Sequence, residues 1–133
     1  MIMRLLDTDT CIYFLNRTSE NLIAQFKKFS PSDIKLSAIT VAELLYGAEK
    51  SQAKKKNLES VQHFVSTFDI IPFDGTCCKT YARIRTGLEK SGTPIGPMDF
   101  LIASICIANN YILVTNNTKE FSRLKKLKLE NWL

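Results

Sequence analysis

The chain has 133 residues, 45% of them hydrophobic, and no apolar run of the 18 residues or more that a membrane-spanning helix needs. That length can bury one core without disulfides or a structural metal, so a single domain over residues 1–133 is expected. The net charge of +5 favours a polyanionic partner over a basic or neutral one. Met1-Ile2-Met3-Arg4 runs into strand-like sequence instead of a signal peptide, which points to a cytosolic protein with no membrane partner.

In chain order, Ile2 to Leu6 reads as a first strand that ends on Asp7, at the carboxyl end where α/β sheets collect their active groups. Asp9 precedes a helix expected from about Thr10, and either caps it or joins the chemistry. Leu22, Phe26 and Phe29 share a helical face. Ile34 to Leu36 is the second strand, and Val41, Leu44, Leu45 and Ala48 stripe the helix after it. Lys54, Lys55 and Lys56 open a further stretch, as solvated surface or as phosphate contacts. There Leu58, Val61, Phe64, Val65 and Phe68 form the buried stripe, and His63 is read as structural.

Asp69 to Phe73 is the third strand, followed by a helix with Tyr81, Ile84 and Leu88 on one face. Gly92, Pro94, Gly96 and Pro97 form a loop that delivers the chain into Met98 to Ala108, apolar almost all round and therefore central. Tyr111 to Thr115 is the fourth strand. At its end Thr115, Asn116 and Asn117 serve either turn chemistry or the holding of a phosphate or metal-bound water. Lys125, Lys126 and Lys128 pose the same alternatives as the earlier lysines, and a short strand is expected near Lys128 to Asn131. Alternating strands and helices of this kind predict an α/β fold around a parallel sheet.

Cys11, Cys77, Cys78 and Cys106 contain no C-x-x-C pair, so free, mostly buried thiols are expected. With one histidine, a His/Cys zinc site is excluded. The acidic residues carry more information. Glu59 can pair with Lys55 or Lys56, Glu89 with Arg85, and Glu120 with Arg123, as ordinary helix-surface pairs. Asp7, Glu43 and Asp99 have no such neighbour: Glu43 sits among Ile39, Tyr46 and Gly47, and Asp99 among Ile95, Ile102 and Ala103. Unpaired carboxylates in apolar surroundings cost several kcal/mol; a shared divalent cation is the economical relief for all three, the alternative for any one of them being a helix cap or a distant arginine. Oxygen-only ligands favour Mg²⁺ or Mn²⁺ over Zn²⁺.

Four segments then stand out in order: Leu6-Asp7-Thr8; Ala42-Glu43-Leu44-Leu45-Tyr46-Gly47-Ala48; Pro94-Ile95-Gly96-Pro97-Met98-Asp99-Phe100-Leu101-Ile102-Ala103; and Leu113-Val114-Thr115-Asn116-Asn117-Thr118-Lys119-Glu120-Phe121. Together with Leu129-Glu130-Asn131-Trp132 at the end, they resemble the signature blocks of VapC-type PIN domains, the ribonuclease toxins of type II toxin–antitoxin pairs. The resemblance implies a three-layer α/β/α fold with a mostly parallel central sheet, and places Asp7, Glu43 and Asp99 in an acidic metal site. It puts a fourth acidic position between Asn116 and Glu120, with Glu120 the acid available. Many relatives have an aspartate soon after the fourth-strand threonine, where this chain has Asn116 and Asn117.

The activity so implied is metal-dependent hydrolysis of RNA, with a tRNA anticodon loop the expected target and Thr8, Asp9, Thr115, Asn116 and Asn117 in support. The partners implied are a VapB-like antitoxin and a second copy of the chain. Two rivals stand beside it. One is a haloacid-dehalogenase-like phosphatase, suggested by Asp7-Thr8-Asp9 at a strand end; the other is a PIN module with an incomplete metal site that binds RNA or a partner without turnover.

Overall fold

In the computed structural model, which describes residues 2–133, the sheet is built outward from β1 (Arg4–Leu6). β1 pairs in parallel with β2 (Ile34–Ser37) and β4 (Ile112–Val114), in register Arg4 to Ile34 and Arg4 to Ile112. β3 (Asp69–Ile71) lies outside β2 and β5 (Lys128–Glu130) outside β4, so the order is β3-β2-β1-β4-β5, all parallel. The chain steps from β1 to β2 to β3 on one side, then crosses to β4 on the other. The β1/β4 boundary is therefore the switch point, where a parallel sheet leaves a crevice at its carboxyl ends.

Period-two alternation makes the sheet two-faced. Leu5 and Leu113 pack on one side with α5 (Gly75–Lys90), α6 (Pro97–Asn109) and α7 (Thr118–Phe121). Leu6 and Val114 pack on the other with α1 (Thr8–Leu15), α2 (Glu20–Phe26), α3 (Ala38–Glu49) and α4 (Lys54–Ser66). This is the three-layer α/β/α arrangement that the resemblance implied. Helix starts are fixed by capping side chains: Ser19 accepts from the Leu22 N–H at 3.1 Å, Ser37 from Thr40 at 3.0 Å and Asp74 from Cys77 at 3.1 Å. α6 begins on Pro97 and ends at Asn110, whose φ of 58° reverses the chain into β4.

The sheet is narrower along its strands than the hydrophobic runs suggested. β3 stops before Pro72, which has no N–H for the ladder, and β1 stops at Leu6 because Asp7 already belongs to a helix cap. β2 runs one residue past expectation, to Ser37. Phe29 and Phe68 lie beyond the ends of α2 and α4 yet join the same aromatic cluster, with Phe26 and Phe68 ring centroids 6.3 Å apart. α6 is buried from Phe100 to Cys106 except for partly exposed Leu101, but Met98 is 51% exposed. Cys11, Cys77 and Cys106 are free and buried, and Cys78 is free and exposed. His63 is exposed and borders an aromatic groove lined by Phe14, Phe26 and Phe64. Among the described residues no helix is long and apolar enough to cross a membrane.

A clasp joins the first strand to the last. Arg4 donates to both carboxylate oxygens of Glu130, at 2.7 and 3.0 Å, while its guanidinium lies 4.2 Å from the centre of the Phe29 ring. The Trp132 indole N–H donates to Glu130 at 3.1 Å, and its ring stacks on Phe29 at 5.1 Å. Trp132→Ala opens a cavity in this buried cluster. Urea unfolding followed by circular dichroism should show a loss of about 3 kcal/mol.

Candidate active site

One residue separates β1 from α1. Asp7 fills that place in an extended conformation, and its Oδ1 accepts from the Thr10 N–H at 2.8 Å, capping the helix. Its Oδ2 accepts from the Thr115 hydroxyl at 2.5 Å, and its own N–H donates to the Val114 carbonyl at 3.0 Å. Asp7 is thus fixed across the switch point, between β1 and β4. Burial pushes its pKa above the ordinary aspartate value, against the lowering effect of the Thr10 and Thr115 hydrogen bonds. Asp9 is not the cap: the helix starts two residues before the expected Thr10, which leaves Asp9 exposed in its first turn.

Glu43 enters from the second turn of α3. The Thr8 hydroxyl donates to its Oε1 at 2.5 Å, and the Thr40 hydroxyl lies 3.1 Å from that of Thr8. Asp99 comes from the first turn of α6. A cleft of about 320 Å³ is lined by Asp7, Thr8, Asp9, Glu43, Met98 and Asp99, so three separate helices and a strand end bring acids to one concavity. The Asp99 pKa is raised to about 6, first by burial and then by the negative charges of Asp7, Glu120, Glu43 and Asp9.

Glu120 belongs with this group, contrary to the surface pair expected with Arg123. Arg123 instead donates to the Pro94 carbonyl at 3.0 Å, and Glu120 accepts from the Asn117 amide at 2.9 Å. The Asn117 N–H donates to the Thr115 hydroxyl oxygen at 2.9 Å, so Asn117 supports two carboxylates, one directly and one through Thr115. Asn116 is exposed, its side chain 3.5 Å from that of Asn131. Sequence reasoning missed Ser37, Thr40 and Met98; a serine cap followed three residues later by threonine, and three later by glutamate, was the available signal for the first two.

The lysines lie outside the acidic cleft. Lys54 pairs with Glu49 at 2.5 Å, whereas Glu59 forms no ion pair among the described residues; Arg85 and Glu89 do pair, at 3.1 Å. Lys55 is exposed, and Lys56 borders a groove of about 470 Å³ that also reaches Glu43. Lys125 and Lys126 border another groove with Arg123, and Lys128 is exposed on β5.

The donor set suits a hard divalent cation, because it consists of carboxylates and hydroxyls with no histidine or cysteine among the cleft-lining residues. The negative charges of Asp7, Glu120, Glu43 and Asp9 that bear on Asp99 are what such an ion would neutralise. As the side chains stand, no three acidic, His or Cys groups among the described residues converge on one point. Asp7, Glu43 and Glu120 are each drawn to protein donors, and Asp99 leans toward its own loop, with Oδ2 3.5 Å from where a side chain at Gly96 would begin.

The PIN domain family model matches residues 4–127. The chain is 42% identical over 129 residues to Ribonuclease VapC2 of Rickettsia felis, covering 96% of each. It is 36% identical over 132 residues to the tRNA(fMet)-specific endonuclease VapC of Salmonella typhimurium, covering 99% of each. Among solved structures, DNA-bound VapBC from Salmonella typhimurium matches the whole of both chains with a TM-score of 0.94 and 35% identity. VapBC2 from Rickettsia felis, bound to a promoter DNA fragment, matches with a TM-score of 0.93 and 40% identity, over 99% of this chain and 100% of that one.

The raised Asp99 pKa fixes a pH dependence. Its protonated form stabilises the fold fully below the unfolded-state value of 3.8, and that contribution is lost as pH rises through about 6. Asp99→Asn should therefore be about 1 kcal/mol more stable than the parent at pH 7 in metal-free buffer, the half-exposed position screening the rest. Thermal melts at pH 7 and pH 4 check the sign, since the advantage should fade at pH 4.

Proposed function

This chain belongs to the PIN-domain family, and from that premise we propose that it is the toxin of a type II toxin–antitoxin pair, a divalent-metal-dependent endoribonuclease. Residues 1–133 form its PIN domain. The observation that carries the reading is that Asp7, Glu43 and Asp99, from three different elements, line one cleft at the switch point, with Glu120 near enough to act on Asp99 through its charge. Family membership with full-length ribonuclease relatives favours hydrolysis of RNA over the phosphatase alternative. Asp7 also makes a poor phosphatase nucleophile, since it is 5% exposed and both its oxygens accept hydrogen bonds.

Asp7, Glu43 and Asp99 would hold Mg²⁺ or Mn²⁺, with Glu120 in reach from α7. When bound, the ion supplies an activated water and stabilises the charge that develops on the leaving oxygen. The residues do the rest. Thr10 and Thr115 keep Asp7 in one orientation, Thr8 does the same for Glu43, and Asn117 restrains Glu120. Asp9 adds negative charge at the cleft mouth. Met98 offers an exposed apolar contact there for a splayed base. Lys56, in the groove that reaches Glu43, is placed to meet flanking phosphate, with Lys54, Lys55, Lys125, Lys126 and Lys128 contributing to the wider field.

The substrate in this reading is a structured RNA cut in an exposed single-stranded loop, the anticodon loop of a tRNA; the Salmonella relative is named a tRNA(fMet)-specific endonuclease. Cleavage there stops translation. A VapB-like antitoxin is the expected partner, since related chains are crystallised as VapBC. A homodimer in the cytoplasm completes the reading.

Asp99→Asn, Glu43→Gln and Asp7→Asn should each lower tRNA cleavage in Mg²⁺ by at least 100-fold while leaving the far-ultraviolet spectrum unchanged, and EDTA should abolish cleavage by the parent. Glu120→Gln should cost less, about tenfold. Full activity in Asp99→Asn would remove the metal-site assignment. Sequencing of 5′ ends after expression in cells tests the substrate: cuts should cluster in tRNA anticodon loops, and cuts spread over messenger RNA with intact tRNA would overturn that part.

A further inference from the structure

We propose that Thr40 is a positioning residue for Glu43 and acts through Thr8, an inference that rests on the metal-site reading of Glu43. A threonine hydroxyl has one proton to give. Thr8 gives its proton to Glu43 Oε1 at 2.5 Å, so across the 3.1 Å contact with Thr40 it must accept. The direction follows: Thr40 donates to Thr8, and Thr8 donates to Glu43.

Threonines inside helices commonly turn the hydroxyl back to the carbonyl four residues earlier. Thr40 does not. Among the described residues its hydroxyl has Thr8 alone as partner, 32 positions away in the chain. It is fully buried, so no solvent competes for its proton, and its N–H is tied to the Ser37 side chain at 3.0 Å. Being three residues apart puts Thr40 and Glu43 on one side of α3, facing Thr8.

Asp7 is held by the same two-step construction. There the Asn117 N–H donates to Thr115, which donates to Asp7 at 2.5 Å. In both cases a donor behind a threonine commits that hydroxyl to the carboxylate. For Glu43, which lines the cleft, the effect is to pin Oε1 and leave Oε2 without a hydrogen bond among the described residues.

The test uses the full chain stripped of metal, titrated with Mn²⁺ by calorimetry and assayed on tRNA. Thr40→Val should weaken Mn²⁺ binding about tenfold and lower kcat by a similar factor, with KM nearly unchanged because Thr40 is buried away from RNA. Thr40→Ser should return both to within about twofold of the parent. On a Thr8→Val background, Thr40→Val should add nothing, since the route to Glu43 is already cut. Parent-like Mn²⁺ affinity in folded Thr40→Val, or equal losses in the two backgrounds, would overturn the proposal. Should Thr40→Val fail to fold, Thr40→Ala is read by the same criteria. A parent chain that binds no Mn²⁺ would instead overturn the metal reading itself.

Discussion

The junction between β1 and α1 is a single residue, and that residue is a carboxylate with two tasks. Asp7 must cap a helix, which fixes Oδ1, and must span the switch point to Thr115, which fixes Oδ2. Because both tasks are met by hydrogen bonds within the protein, the carboxylate reaches the crevice with its orientation decided before any ligand arrives. The short strands follow from the same constraint: β1 and β4 need only be long enough to bring Asp7 and Thr115 side by side.

Around Asp7 the electrostatics work against the fold. Asp99 is pressed toward neutrality by burial and by four other acids, and no arginine or lysine lines the cleft to compensate. A structure selected for stability alone would have placed a cation there or replaced an acid. The neighbouring hydroxyls and amides do something different. Thr8, Thr115 and Asn117 satisfy acceptor oxygens without adding charge, so the local field stays negative while each carboxylate is confined. The basic residues that give the chain its positive balance sit outside this cleft, where they can draw in a polyanion without quenching the acids.

Much of this was legible in the residues. Asp7 stood out because it ends the first strand, and Glu43 and Asp99 because their helical neighbours offered no counter-charge, local properties that sequence spacing reports well. Glu120 was harder, since Arg123 sits three residues on; but α7 is a single turn, and Arg123 leaves it for the Pro94 carbonyl, 29 residues away. Thr40 left no local trace, because its partner is distant in the chain and its role depends on which proton goes where. Two aspartates, two residues apart, both suit the cap of α1, and the sequence leaves Asp9 open between capping and chemistry; the cap falls to Asp7, which also contacts β4. Met98 looked like core because its helix is apolar all round, yet the first turn of α6 projects past the sheet into the crevice.

The placement of β4 between β1 and β5 has a temporal side. During vectorial synthesis β1, β2 and β3 are available early, but one edge of β1 stays open until residues 112–114 are made. Thr115, which orients Asp7, arrives 108 positions after its partner. Closing so long a loop is entropically costly and slow. The residues that line the cleft are all made by position 99, but Asp7 acquires the hydroxyl that fixes its second oxygen only when β4 has been added beside β1.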